Sequence, residues 1–383
     1  MEELKEFLLK KEEEGLLRRL RPASYRKDGS IYFGEKRYID LSSNDYLGLA
    51  GHPRLVEASK EALDKFGSGS SASRLLSGDL EIHHQLEDRI ADFKNKEAAL
   101  IFNSGYQANV GVFNSIYGKD DCVFSDKLNH ASIVDGLLLS RAKVFRFKHN
   151  DANNLEDIIK KERSKFKKAL IVTETVFSMD GDRSPLKELV DLKERYDCNI
   201  MVDEAHATGI YGKNGAGIAE EEGLSDRIDI IMGTFSKALG SFGAYIASSR
   251  ETADYLINTC RSFIYSTALP PSIIACNLES LKLVREEPHR REKLLNNVAY
   301  FRNNLKGANF GIKGASQIVP VIIGENKKTQ RAAEDLRAKG WWVLPIRPPT
   351  VPQGEARLRF SLTFHHDLST LQRLLEDLSC VGI

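Results

Sequence analysis

The feature that most constrains the fold is a series of short apolar runs that alternate with helical stretches in the middle of the chain. Seven such runs are typical of buried strands, and they cover residues 98–102, 122–124, 143–147, 169–173, 199–202, 229–232 and 244–247. Helical stretches separate most of these runs, so we expect neighbouring strands to lie parallel, with helices on both faces. The sequence therefore predicts an α/β fold with a mostly parallel, seven-stranded sheet.

Polar residues gather just after the ends of the predicted strands. In an open parallel sheet, ligands bind in the crevice outside the carboxyl ends of the strands. We therefore expect the residues at these ends to converge on one crevice. They are His130, Glu174, Ser178, Asp203, His206, Thr234 and Lys237.

Lys237 lies in the segment GTFSKALG, residues 233–240. A lysine just past a strand end, with hydroxyl residues one and three positions before it and glycines on both sides, suits a Schiff-base lysine in a loop that also contacts a phosphate. A single Ser-Lys pair is more often part of a solvated loop, because short motifs match by chance. The interpretation therefore depends on the rest of the chain.

Asp203 closes one apolar run, where a carboxylate is costly unless it meets a cation. A protonated pyridine nitrogen is such a cation, and His206 follows closely enough to face the same ligand. The alternative is a carboxylate that caps a helix beside a hydrogen-bonded histidine. We predict no metal site, because further ligands at metal-binding spacing are not evident.

Residues 98–109 are typical of a strand that turns through Ser104 and Gly105 into a helix. A helix N-terminus offers unpaired N–H groups and a positive dipole end, both of which favour a phosphate. Tyr106 follows directly, and its ring suits either contact with a flat ligand or a place in the core.

The composition excludes some partners. The 383 residues carry 55 basic and 54 acidic side chains, so no overall field attracts nucleic acid or an anionic membrane. No apolar run reaches the length that spans a bilayer. The five cysteines are scattered, which is typical of reduced thiols in the cytoplasm. We therefore expect a cytoplasmic protein without nucleic-acid or membrane partners.

The chain divides into three predicted segments. Residues 1–50 combine an amphipathic helix, predicted to end at about residue 22, with a hairpin. Residues 51–285 form the large domain, and residues 286–383 form a smaller α+β domain. In the smaller domain, the prolines of residues 345–354 restrict the loop that carries Arg347 and Thr350. An arginine held in this way suits two-pronged binding of a carboxylate.

Five motifs carry a resemblance to a known family. They are SSNDYLGL (residues 42–49), NSGY (103–106), TETVFSMDGD (173–182), VDEAH (202–206) and TFSK (234–237). In this order they resemble the fold-type-I enzymes that use pyridoxal 5′-phosphate (PLP), and within them the α-oxoamine synthases. The resemblance implies an N-terminal helix, a large cofactor-binding domain, a small C-terminal domain and an obligate homodimer.

The resemblance also implies roles for individual residues. Lys237 would hold PLP as a Schiff base and remove a substrate proton, and Asp203 would pair with the ring nitrogen. His206 would contact the ring's phenolic oxygen, and His130 would stack on the ring. Further cofactor contacts would come from Ser104, Gly105, Tyr106, Ser178 and Thr234, and from Ser266 and Thr267 of the neighbouring subunit. Substrate contacts would come from Arg18, Asn44, His130, Thr350 and Arg347, the last as the clamp for an amino-acid carboxylate.

The reaction follows from a narrower resemblance. IRPPTVP (residues 346–352) and ARLR (356–359) are similar to family members that condense L-alanine with a pimeloyl thioester, releasing carbon dioxide, in biotin biosynthesis. The sequence leaves open whether coenzyme A or acyl carrier protein carries the acyl group. The nearest alternative joins glycine to acetyl-CoA. An aminotransferase and a binding protein without catalysis are the alternatives from other classes.

Overall fold

The computed structural model describes residues 2–308 and 310–381. Its helices are α1 (Glu2–Glu13), α2 (Pro53–Phe66), α3 (Glu81–Lys94), α4 (Gly105–Ile116), α5 (Ala131–Ser140), α6 (Ala152–Glu162), α7 (Leu186–Arg195), α8 (Ile218–Glu221), α9 (Arg250–Thr259), α10 (Arg261–Ile264), α11 (Pro271–Glu286), α12 (His289–Gly307), α13 (Asn326–Ala338) and α14 (Leu368–Ser379). Its strands are β1 (Tyr25–Lys27), β2 (Ser30–Phe33), β3 (Lys36–Asp40), β4 (Ala98–Phe102), β5 (Cys122–Asp126), β6 (Lys143–Phe147), β7 (Ala169–Glu174), β8 (Asn199–Asp203), β9 (Ile230–Thr234), β10 (Ala244–Ser248), β11 (Ile318–Gly324), β12 (Trp341–Trp342), β13 (Pro345–Ile346) and β14 (Ala356–Ser361). Within this described part of the chain, no helix is both long and apolar enough to cross a membrane.

The chain forms two compact units. The terminal unit contains the residues up to Gly48, Met179–Asp182 and the residues from Glu292 onwards. The central unit contains Leu49–Ser178 and Arg183–Arg291. The sequence division placed boundaries after residues 50 and 285 and kept the first and last segments apart. The structure groups these two segments in one unit.

The central unit contains the seven-stranded sheet, in the order β4-β10-β9-β8-β7-β5-β6. Strand β10 runs antiparallel to both of its neighbours, and the remaining pairs are parallel. Side chains such as those of Val123, Leu170 and Met201 are fully buried, which explains the continuous apolar runs. The predicted α/β fold with a mostly parallel seven-stranded sheet is confirmed.

Strand register determines which residues can meet at the carboxyl edge of this sheet. Glu174 at the end of β7 pairs with Asp203 at the end of β8, and Asp203 pairs with Met232 of β9. The ends of these three strands therefore lie side by side. The loops that follow them start from one edge of the sheet.

The terminal unit contains two smaller sheets, β1-β2-β3-β12 and β11-β14-β13. Strand β12 pairs in parallel with β3, which joins the N-terminal hairpin to the C-terminal part of the chain. The prediction that the first helix ends at about residue 22 is wrong, because α1 ends at Glu13. Gly15 then adopts a left-handed φ of 65°, and an irregular arm follows it.

A buried ion pair lies beneath the carboxyl edge of the central sheet. Lys94 Nζ is 2.7 Å from Glu204 Oε2, and both side chains are inaccessible to solvent. Lys94 also donates to Thr208 Oγ1 at 3.0 Å and to the Ala216 carbonyl. Glu204 Oε1 accepts the Ala219 N–H at 2.9 Å. These bonds fix the segment that follows β8.

His366 joins two parts of the terminal unit through a buried imidazole. Its Nδ1 accepts the Thr363 N–H at 3.1 Å, and its Nε2 lies 3.2 Å from the Asp40 carbonyl oxygen. This geometry requires a neutral ring with its proton on Nε2. Burial lowers the pKa of His366 to about 4.

We expect this histidine to make stability depend on pH. The pKa in the folded state is about 4, below the ordinary 6.5, so the unfolded chain binds more protons between these values. His366 should therefore lower the free energy of unfolding by about 2 kcal/mol between pH 7 and pH 5. Urea unfolding of the wild type and of His366→Asn at both pH values measures this effect. The same pH dependence in both proteins would contradict it.

Candidate active site

The structure brings Lys237 and His206 together at the carboxyl edge of the central sheet. Lys237 Nζ lies 2.8 Å from His206 Nε2, and the imidazole is buried while the lysine is partly accessible. The lysine is therefore held in contact with a buried histidine at the strand ends. This argues against the alternative of a solvated loop lysine.

The loop after β9 holds Lys237 in place through its own backbone. The Phe235 N–H donates to the Gly243 carbonyl and the Ser241 N–H donates to the Phe235 carbonyl, both at 2.9 Å. Gly240 adopts a φ of 64°, and a Cβ at this position would lie 2.5 Å from the Ala50 nitrogen. Glycine is thus required for the loop to pack against the backbone at this point.

Asp203 presents a buried carboxylate held by two donors. Its Oδ1 accepts the Ala205 N–H at 2.9 Å, and its Oδ2 accepts Asn109 Nδ2 at 3.1 Å. Hydrogen bonds to an ionised carboxylate offset much of the cost of its burial. The bond to Ala205 is a local turn contact of the kind that the capping alternative predicted. Oδ2 instead contacts Asn109 on α4.

A chain of hydrogen bonds connects Asp203 to His130. Asn109 Nδ2 also donates to Ser132 Oγ at 2.9 Å, and Ser132 Oγ lies 2.8 Å from His130 Nδ1. His130 caps α5, with Nδ1 accepting the Ser132 N–H at 3.2 Å. A ring nitrogen that accepts this bond carries no proton.

The pKa of His130 is lowered even though its side chain is exposed. Desolvation by the surrounding protein is the largest cause, and the Lys237 charge adds to it. The Asp203 carboxylate acts in the opposite direction. The imidazole is therefore a neutral side chain at neutral pH.

Glu174 adds a second buried carboxyl group beside Asp203. Among the described residues, its Oε1 has no hydrogen-bond partner. Burial, with the neighbouring Asp203 charge, raises the pKa of Glu174 well above its ordinary value. The raised pKa favours the neutral form of Glu174 beside the Asp203 carboxyl group.

A cradle for an anion lies at the N-terminus of α4. Ser104 caps this helix by accepting the Gln107 N–H at 3.2 Å. A Cβ on Gly105 would lie 2.9 Å from Thr234 Cγ2, so glycine allows the helix to approach β9. Thr234 Oγ1 is buried and has no hydrogen-bond partner within the described part of the chain. An orphaned hydroxyl beside free helical N–H groups suits a phosphate.

Tyr106 lies at the surface of the same turn. Its side chain is 47% exposed, and its hydroxyl is hydrogen-bonded to the Asp135 carboxylate on α5. The bond to Asp135 is the main cause of a raised pKa of Tyr106. Tyr106 is therefore not part of the hydrophobic core, which was the alternative interpretation of this residue.

The other proposed cofactor residues lie on two segments of the central unit. Ser178 lies in the turn after β7. Ser266 Oγ accepts Gln107 Nε2 at 3.3 Å, and the Thr267 carbonyl accepts Asn103 Nδ2 at 2.9 Å. Within one chain, Ser266 and Thr267 thus lie beside the residues that flank the start of α4.

The proposed substrate residues belong to the terminal unit, apart from His130, and form two groups. In the first, Arg18 Nη2 donates to Thr350 Oγ1 at 2.9 Å, and Arg347 donates to the Gly15 carbonyl. Burial, and then the neighbouring charge of Arg18, lower the pKa of Arg347. The arm after α1 therefore lies against the proline-rich loop.

The second group surrounds Asn44. Its Oδ1 accepts the Tyr46 hydroxyl at 3.1 Å and the Arg359 guanidinium at 3.4 Å. Arg359 is buried on β14 and also donates to Ser361 Oγ at 2.6 Å. Sequence reasoning did not assign Arg359 to the site. The signal was a pair of alternating arginines, Arg357 and Arg359, in a short strand whose residues are all buried.

Asn109 and Ser132 were also missed as parts of the site. Each is a polar residue in the first two turns of its helix, and both are buried. Polar residues in such places need partners. That rule provided a signal, although the identity of each partner depends on how α4 packs against α5.

Known proteins are similar to this chain over most of its length. The family model for aminotransferase class I and II matches residues 36–378. An 8-amino-7-oxononanoate synthase from Geotalea daltonii is 47% identical over 371 residues, which are 96% of this chain and 94% of that protein. The synthase from Geobacter sulfurreducens is 47% identical over 373 residues, with coverages of 97% and 95%.

Two solved structures are also similar. Serine palmitoyltransferase from S. paucimobilis, with a bound PLP-myriocin aldimine, has a TM-score of 0.92 and 31% identity, and the match covers 99% of this chain and 96% of that one. The 8-amino-7-oxononanoate synthase from Francisella tularensis has a TM-score of 0.78 and 32% identity, with coverages of 90% and 97%.

The fold and these matches define a fold-type-I enzyme that depends on PLP. The residues present fit this cofactor, because the orphaned Thr234 hydroxyl suits its phosphate and the Asp203 carboxylate suits its ring nitrogen. The chain belongs to the 8-amino-7-oxononanoate synthase family, so it is an acyltransferase. The resemblance on which the reaction was predicted is confirmed.

We expect Thr234→Val to weaken the binding of PLP by about tenfold, because valine keeps the shape but removes the hydroxyl from the phosphate cradle. Titration of the apoprotein with PLP, followed by visible absorbance, measures this affinity. Thr329→Val is the matched control, because the Thr329 hydroxyl donates to the Glu325 carbonyl at the start of α13. Equal affinity in wild type and Thr234→Val would exclude the hydroxyl from this cradle.

Proposed function

We propose that this enzyme condenses L-alanine with a pimeloyl thioester to give 8-amino-7-oxononanoate, carbon dioxide and the free carrier, in biotin biosynthesis. The observation that carries the proposal is the pair of Lys237 and His206 at 2.8 Å, in a chain 47% identical to synthases with this name. The carboxylate of Asp203 is anchored at the same sheet edge.

PLP, when bound, supplies an electron sink for the carbanion that forms at the substrate's α-carbon. We infer that Lys237 holds the cofactor as a Schiff base. Thr234 and the N-terminus of α4 bind its phosphate, together with Ser104, Gly105, Tyr106 and Ser178. The Asp203 carboxylate would pair with the ring nitrogen.

The proton transfers belong to Lys237. Once the amino acid has displaced it from the cofactor, its amine would be the base that takes the α-proton and later returns a proton to the product. His206 orients this amine through the 2.8 Å contact between Nζ and Nε2. His130, whose pKa is lowered by its surroundings, would stack on the cofactor and contact the substrate.

The substrates are bound by guanidinium and amide groups. Arg347 is the proposed clamp for the carboxylate of L-alanine, and Arg18 and Thr350 contact the substrates beside it. Their mutual contacts support this grouping. Arg359 joins the proposed set because it contacts Asn44, which the motifs assigned to substrate binding. A planar guanidinium suits the two oxygens of a carboxylate.

The second candidate reaction joins glycine to acetyl-CoA. It uses the same lysine and the same carboxylate. The residues of the central unit therefore do not indicate which of the two reactions the enzyme catalyses. A methyl group in a pocket changes specificity by only about 1–3 kcal/mol, so some activity with both amino acids is expected. The curated relatives named above favour the first reaction.

The homodimer is proposed on the basis of Ser266 and Thr267. We infer that both reach the cofactor phosphate of the neighbouring subunit, which places an active site at the subunit interface. Thr267 is exposed in the single chain, as such a role requires. The cytoplasmic location stays a prediction from the scattered cysteines.

Turnover with two substrate pairs tests the proposed reaction. Purified holoenzyme should prefer L-alanine with pimeloyl-CoA over glycine with acetyl-CoA by at least about tenfold in kcat/KM. A preference for the second pair would overturn the assignment of the substrates.

Lys237→Ala should lose both turnover and the visible absorbance of the Schiff base. Full activity of Lys237→Ala would overturn the role of the lysine.

Hybrid dimers test the shared active site. Thr267→Asp should repel the partner's phosphate, and Lys237→Ala inactivates its own site. Refolded together, the two inactive proteins should recover about a quarter of wild-type activity, because half of the dimers are hybrids with one intact site. No recovery, with dimers seen by light scattering, would show that Thr267 acts within its own chain.

A further inference from the structure

A cleft in the terminal unit has an excess of positive charge. Its volume is about 740 Å³, within the range of small-molecule sites. Two glutamates line it, Glu12 and Glu334, and Glu12 already pairs with an arginine at 2.7 Å. The arginines that line it come from the arm after α1, from α13 and from the proline-rich loop, and they are Arg18, Arg19, Arg21, Arg337 and Arg347.

The arginines of this cleft repel one another in two pairs. Arg18 lies near Arg347, and Arg21 lies near Arg337. In each pair, burial and the neighbouring like charge lower the pKa of the more enclosed guanidinium, which is Arg347 or Arg337. Glu334 offsets part of this effect at Arg337. An anion between two such groups would relieve the repulsion.

Arg337 is held by stacking. Its guanidinium lies over the Trp342 ring, 4.9 Å from the centroid. Its Nε is buried and has no hydrogen-bond partner within residues 2–308 and 310–381. A guanidinium positioned in this way is oriented for binding, and it loses little further freedom when it meets a phosphate or carboxylate.

The two pairs lie in one cleft but differ in what surrounds them. Arg18 and Arg347 already bind Thr350 and the Gly15 carbonyl. Arg21 lies three residues after Arg18 on the irregular arm. Three extended residues span about 10 Å. The second pair is therefore a separate group of donors near the proposed substrate residues.

We propose that Arg21 and Arg337 form an anion subsite that binds a phosphate of the pantetheine arm of the thioester donor. Coenzyme A and acyl carrier proteins both carry this phosphorylated arm. The apolar lining of the cleft, including Leu344 and Ile346, suits the uncharged part of the arm. The identity of the donor rests on the proposed function, whereas the anion subsite rests on the cleft itself.

Tryptophan fluorescence tests the subsite directly. The chain has two tryptophans, which are the adjacent Trp341 and Trp342, and Trp342 lines the cleft. Titration of the holoenzyme with coenzyme A at fixed ionic strength should give a saturable change. Arg21→Gln and Arg337→Gln should each weaken binding by about tenfold, since a hydrogen bond to a charged group is lost. Arg331→Gln, an exposed arginine of α13 outside the cleft, should leave the affinity unchanged.

Kinetics with two donors identifies the source of the phosphate. The KM for pimeloyl-CoA, or for a pimeloyl acyl carrier protein, should rise in Arg337→Gln while kcat stays the same. A rise for one donor alone supports the subsite and names that donor as its ligand. Urea unfolding, compared with Arg331→Gln, controls for a loss of fold.

Two results would overturn the proposal. One is unchanged affinity and KM for both donors in the Arg21 and Arg337 variants. The other is saturable binding of free pimelate with the same arginine dependence, which would assign the subsite to a carboxylate. If the chain prefers glycine and acetyl-CoA, the proposed function fails, but the fluorescence result stands because that donor carries the same arm.

Discussion

The buried pair of Lys94 and Glu204 is the interaction on which the arrangement of the cofactor residues depends. Removing two charges from water is costly, and the cost is offset only when every remaining donor and acceptor has a partner. Here Thr208, the Ala216 carbonyl and the Ala219 N–H provide these partners. Glu204 directly follows Asp203, so the same bonds fix the backbone that carries Asp203 and, further along, His206.

The site then depends on the groups that surround the buried carboxyl group of Asp203. Asp203 is stabilised by Asn109 and by the Ala205 N–H. Burial and Asp203 raise the pKa of Glu174, its neighbour in the sheet register, and this favours the neutral form of Glu174. His130 is neutral and connected to Asn109 through Ser132. The strand ends thus bring three ionisable groups together, and the shifts of Glu174 and His130 both favour neutral side chains beside the hydrogen-bonded carboxyl group of Asp203.

The sequence was sufficient where a local pattern determines the structure. Continuous apolar runs predicted all seven central strands, because strands covered on both faces need no polar alternation. The sequence was insufficient where a residue distant in the chain determines the local structure. Strand β12 has two residues and no periodicity, and its pairing with β3 joins residues near opposite ends of the chain. The overestimate of α1 came from counting apolar spacing past Gly15, whose left-handed backbone ends the helical path. Arg359 and Ser132 are polar residues at buried positions of a strand and a helix, and their partners depend on how these elements pack.

Chemistry and specificity are divided between the two units. The residues proposed to hold PLP and move protons belong to the central unit, and such a set is common to many reactions within one broad class. The arginines proposed to bind the substrates belong to the terminal unit, on the arm, on α13, on β14 and in the proline-rich loop. A methyl group separates alanine from glycine by only about 1–3 kcal/mol, so the shape of a pocket gives limited selectivity for the amino acid. Groups that carry charge are distinguished more strongly, because a buried guanidinium left without its anion is costly. The phosphorylated arm and the amino-acid carboxylate are common to both candidate reactions, so we expect an arginine to separate the two acyl donors only where it meets the terminal carboxylate of the pimeloyl chain.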